Sequence, residues 1–175
     1  MKRIKIKRHL LILTGVMLLS GCANSAPVDT ASTDSTATVQ TEEIKKEAKT
    51  IADIYDEITK SITLYSPFCW DEEFISNYYG IDVTSLEEYV FSMSEDATSA
   101  ETIIIMKAKD STSVAELSDC LQMVVDEKKN EMENYLPEQF EIVAKSSVQT
   151  KDNYVWLVIS ENADAITKII EDSIS

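Results

Sequence analysis

The chain has 175 residues, with 31 Asp and Glu against 16 Lys and Arg, a formal charge of −15 that argues against nucleic acid as a partner, since that binding rests on neutralising phosphates. Its one histidine (His9), both arginines (Arg3 and Arg8) and two of its three glycines fall within the first 21 residues. Beyond residue 21 there is thus no histidine for a Ser-His-Asp pair or a zinc site, no guanidinium fork, and one glycine where a phosphate-cradling loop needs several.

The first 22 residues read as an address. Lys2, Arg3, Lys5, Lys7 and Arg8 lead into an apolar run from Leu10 to Leu19. A membrane-spanning helix needs about 20 apolar residues, whereas the centre of a signal peptide needs about 7–15. The run ends in Leu19-Ser20-Gly21-Cys22, which resembles the lipobox of bacterial lipoproteins. That resemblance implies a diacylglyceryl group on the Cys22 thiol and cleavage before it. The protein is then expected at the cell membrane, on the extracytoplasmic side, with the membrane as a partner through the lipid; two acyl chains anchor stably. Without residues 1–21 the chain has 11 lysines against 31 acids, a charge of −20.

Residues 22–40 read as the lipidated cysteine and a tether rich in Ser and Thr. Its 18 residues after Cys22 span roughly 20–25 Å on average. The Debye length is about 8 Å at physiological salt, so an acidic domain can stand clear of most of the membrane's surface potential.

Residues 41–175 are expected to form one globular domain. A helix is predicted over 42–62, capped by Thr41, with Ile44, Ala48, Ile51, Tyr55, Ile58 and Ile62 in one stripe. A short helix over 71–79 opens on Asp71, Glu72 and Glu73 and ends at Gly80. Strands follow over 88–94 and 101–109. In the second, Thr102, Ile104, Met106 and Ala108 share one face, while Ile103 and Ile105 start the other, as in a central strand. A helix over 113–135 opens on a capping box, Ser113 to Glu116, and carries Val114, Leu117, Leu121, Val124, Met132 and Tyr135, with Pro137 beyond its end. Strands over 141–149 and 154–160, joined by a turn at 151–153, lead to a final helix over 161–174. The expected fold class is α+β: a four-stranded antiparallel sheet with packed helices, in the order α-α-β-β-α-β-β-α.

Three features could carry function. Trp70 followed by Asp71, Glu72 and Glu73 could set carboxylates beside an aromatic, as in sugar-binding or glycosidase sites; the same acids also suit a helix N-terminus. On strand 154–160, Tyr154, Trp156 and Val158 point to one face and would form a partner surface if helices cover only the other. Cys69 and Cys120 could pair outside the cytoplasm or remain separate thiols. No cofactor and no metal site is expected, and no segment supplies the ligands of an EF-hand loop.

Several fragments resemble a family of clostridial lipoproteins, domain of unknown function 4358. They are Tyr78-Tyr79-Gly80-Ile81-Asp82, then Ala100-Glu101 leading to Ile105, Lys107 and Asp110, then Tyr135-Leu136-Pro137-Glu138, and finally Asn153-Tyr154-Val155 before Val158-Ile159-Ser160. The resemblance covers about residues 51–174 and implies no established activity. The expected function is a lipid-anchored, extracytoplasmic accessory or binding module without catalysis, acting on a protein or envelope partner. The alternatives are a carboxylate-based hydrolase of cell-envelope glycans using Asp71, Glu72 or Glu73, and a small solute-binding lipoprotein.

Overall fold

The computed structural model describes residues 49–174. Its first helix, α1 (Ile51–Ser61), begins at Thr50, whose side chain accepts from the Asp53 N–H, and it buries Ile51, Ile54 and Ile58. This corrects the predicted start at Thr41: Thr50 is extended, and residues 41–48 lie outside the described residues.

An edge strand that the sequence pattern does not announce follows, β1 (Pro67–Cys69), all of it exposed. Proline is tolerated there because an edge strand can spare a donor. The short helix α2 (Glu72–Tyr79) matches its prediction: Asp71 caps its start, and Gly80 at φ +67° ends it with an N–H to Ser76 C=O. β2 (Leu86–Ser94) and β3 (Thr102–Ala108) pair antiparallel. Val114–Met132 forms α3, Pro137–Lys145 forms α4, Gln149–Lys151 forms β4, Tyr154–Ile159 forms β5 and Ala163–Ser173 forms α5.

Two predictions around α3 and α4 are corrected. Ser113 makes no side-chain cap and is already helical. The entry lies one turn earlier, where Asp110 accepts from the Thr112 N–H and opens a 3-10 turn into α3. Residues 141–149 are not a strand. Pro137 opens α4 at its first turn, where a missing N–H costs nothing, and beyond it Gln149–Lys151 alone join the sheet ahead of β5. Tyr135 lies beyond α3 and is 84% exposed rather than on its apolar face.

The sheet therefore has five strands, not four, in the order β1-β2-β3-β5-β4, antiparallel throughout. The β4–β5 hairpin turns at Asp152, φ +52°, a left-handed position that Asp tolerates. β3 is central and buried on both faces, as its sequence predicts. Ile104, Met106, Val155 and Leu157 join one core with α2, α3 and α4, while Ile103, Ile105, Trp156 and Val158 join a second with α1 and α5.

Candidate functional surface

Phe74 and Tyr78, four residues apart on α2, put two rings on one side of the helix, and Trp70, just before its cap, adds a third. Trp70 stacks on Phe74 at 3.9 Å between centroids and Phe74 on Tyr78 at 5.3 Å, with interplanar angles of 22° and 7°. Phe68 of β1 meets Trp70 edge-on at 4.9 Å. Tyr79, one residue on, turns inward against Phe91 and anchors the ladder to the core. Both ends of the ladder are open: Tyr78 is 61% exposed at one and Phe68 41% at the other, and Met123 of α3 lies exposed beside Tyr78.

Carboxylates rim this apolar strip. Asp71 and Glu73 border a shallow concavity of about 340 Å³ on one side of Tyr78, and Asp126, Glu127 and Glu131 border another of about 530 Å³ on the other. The Tyr78 hydroxyl donates to Glu127 at 3.0 Å and ties α2 to α3; that bond and the carboxylate charge raise the phenol's pKa. Because the rings face one another, the strip presents chiefly edges and one terminal ring rather than a row of open faces. The carboxylate rim suits positive charges, and the apolar stems that carry them can lie along the ring edges.

The predicted acidic cluster thus divides. Asp71 accepts from the Phe74 N–H at 3.0 Å and caps the helix, and Glu72 and Glu73 lie exposed in its first turn, where the dipole favours negative charge. Phe68, Phe74, Tyr78, Met123 and Glu127 are functional candidates that the sequence does not single out. The four-residue spacing of Trp70, Phe74 and Tyr78 is the available signal; their conjunction with α3 leaves none.

Tyr154, Trp156 and Val158 share one face, as expected, but α1 and α5 cover it and all three are buried. The exposed sheet face is therefore corrected to core. Cys69 and Cys120 are free thiols: Cys69 is exposed on β1, and Cys120 packs against the first core, where burial raises its pKa. Cys22 lies outside the described residues.

A third concavity, of about 380 Å³, lies where β3 begins and β5 ends. Glu101 spans it, accepting from the Ser160 hydroxyl at 2.7 Å and from the Tyr65 N–H, while the Gln139 side chain accepts from Ala100 N–H. Both Glu101 oxygens are thus engaged within the fold.

Among the described residues, no cluster of three His, Cys, Asp or Glu side chains could hold a metal ion, and no helix is long and apolar enough to cross a membrane. A family model, Domain of unknown function (DUF4358), matches residues 60–160, more than half of the chain. The match runs from the end of α1 through β5 and takes in the ring ladder and its acidic rim. No curated protein and no solved structure matches the chain.

Proposed function

We propose that this chain, which belongs to the DUF4358 family of unknown function, is a lipid-anchored extracytoplasmic binding module that captures a positively charged partner on the α2–α3 surface. One observation carries the reading: Tyr78 and Met123 remain exposed together inside a rim of Asp71, Glu73, Asp126, Glu127 and Glu131, with Phe68 exposed at the far end of the same ladder. Exposed aromatics at the centre and charges at the edge are how protein interfaces divide affinity from steering. The described residues carry 26 acids against 9 lysines, so long-range attraction favours a basic partner as well. The lipobox at Cys22 and the Ser/Thr tether support presentation of this surface away from the membrane.

The test is cross-linking on intact cells that express the wild type, Tyr78→Ala with Met123→Ala, or Cys22→Ala. The double variant should lose partners that the wild type captures while staying folded, and Cys22→Ala should leave the protein uncleaved or released. An unchanged partner set would remove the surface from consideration; normal processing and retention of Cys22→Ala would remove the anchor.

A further inference from the structure

β4 stops early. It pairs with β5 from Lys151↔Tyr154 to Gln149↔Trp156 and no further. The hydrogen-bond phase of β5 is set on its other side, where Ala108 N–H donates to Asn153 C=O at 2.8 Å, one step beyond Lys107↔Tyr154. Antiparallel ladders alternate. Val155, Leu157 and Ile159 therefore exchange bonds with β3, while Tyr154, Trp156 and Val158 turn their N–H and C=O toward the β4 side. Lys151 and Gln149 meet the first two. The register would set Ser147 opposite Val158, but the chain there is still leaving α4. Ser146 gives its N–H and its hydroxyl to Val143 C=O, at 3.0 and 2.7 Å, and the Ser147 hydroxyl accepts from the Gln149 side chain. Among the described residues, Val158 has no backbone partner on that side.

This unpaired stretch of edge opens into a cleft. About 810 Å³ lies between the end of α4 and α5, lined by Ile142, Ser147, Trp156, Val158, Ser160 and Thr167 among others. The Trp156 Nε1–H is buried without an acceptor among the described residues. Trp156 and Val158 thus line one cleft, and each carries a polar group without a partner among the described residues, where buried polar groups otherwise find partners.

We propose that this cleft receives an extended peptide segment of a partner protein, which continues β4 along the β5 edge and exchanges backbone hydrogen bonds with Val158. Side chains of α4 and α5 border the segment from opposite faces of the sheet. Glu161, Asp164, Glu171 and Asp172 line the cleft against Lys145 and Lys168, which leaves it net acidic. With 26 acids against 9 lysines in the described residues, a Lys-bearing segment is attracted and a second copy of this acidic chain is repelled. The site is separate from the α2–α3 surface and does not depend on it.

The test uses the ¹⁵N-labelled chain from Ala23 onward and a nine-residue peptide of alternating Lys and Val, blocked at both ends. A second peptide has the same sequence with alternate peptide nitrogens methylated. The Val158 amide should exchange readily with solvent before the peptide is added. On titration the Val158 amide and the Trp156 indole should shift, and the methylated peptide should bind at least tenfold more weakly. Val158→Pro removes the outward N–H and leaves the β3 hydrogen bonds in place, so the folded variant should not bind the peptide; its urea midpoint should fall, because Val158 is buried in the second core. If that variant unfolds, the comparison of the two peptides still decides. Equal affinity for both peptides, shifts confined to Tyr78 and its neighbours, no binding at millimolar peptide, or a Val158 amide already protected without peptide would each overturn the proposal.

Discussion

Trp156→Ala is the sharpest test of how the two faces of the sheet are assigned. Trp156 is 2% exposed beneath α1 and α5. A tryptophan buries about 150–250 Å², which at about 25 cal/mol per Å² amounts to roughly 4–6 kcal/mol of transfer free energy. Deleting the ring also removes an Nε1–H that has no partner among the described residues, which offsets roughly 1–3 kcal/mol. The net loss should be about 3 kcal/mol, at the lower end of the ~3–5 kcal/mol range for truncating large buried aromatics. For a domain of this size each kcal/mol moves Tm by about 3–5 °C, so melting should fall by about 10 °C or more. Urea unfolding followed by far-UV circular dichroism should show a lower midpoint at unchanged slope. Phe68→Ala, on the exposed edge strand, is the matched control and should cost about 1 kcal/mol or less. If Trp156→Ala proved as mild as Phe68→Ala, the second core would not exist as described, and the face would be open to solvent after all.

Two further outcomes follow from local geometry. Gly80 sits at φ +67°, and a methyl group added there would meet nothing within 4 Å, so Gly80→Ala should lose about 1 kcal/mol through backbone strain alone, and Gly80→Asn less; equal stability of all three forms by thermal denaturation would refute the left-handed cap. Asp82, Asp96 and Asp110 each accept from the N–H and hydroxyl of the Thr two residues on, and these bonds hold their carboxyls below the usual range. A depressed folded pKa adds stability above the unfolded value near 3.9, and that stability is lost as pH falls through the depressed one. Carboxyl-detected NMR should place all three midpoints below about 3.9, and Thr98→Val should move Asp96 upward; an ordinary midpoint for Asp96 in the wild type would contradict the turn geometry.

Legible along the chain is whatever depends on neighbours in sequence. The period-two pattern of β3 and β5 sorts their side chains correctly between faces, because side-chain alternation is local. Asp71 and Gly80 mark the ends of α2 because a cap needs only its own turn. The errors have local causes too. Pro137 serves equally well after one helix and at the first turn of the next, and sequence alone does not separate the two. Ser113 satisfies a capping pattern that Asp110 pre-empts. β1 is three residues long and shows no alternation, so only its pairing with Ser92–Ser94 reveals it.

The candidate sites divide along the same line. The sequence by itself determined an acidic domain whose residues after 21 lack histidine and arginine, the alternation of the central strands and the caps of α2, since each follows from composition or from contacts within a few residues. Tertiary structure decided which faces meet water. Burial is a property of what packs on top: α1 and α5 closed over Tyr154, Trp156 and Val158, while nothing in the described residues closed over Phe68, Tyr78 and Met123. It also decided where β4 ends, and so left the Val158 edge open, because a strand's partner is chosen across space.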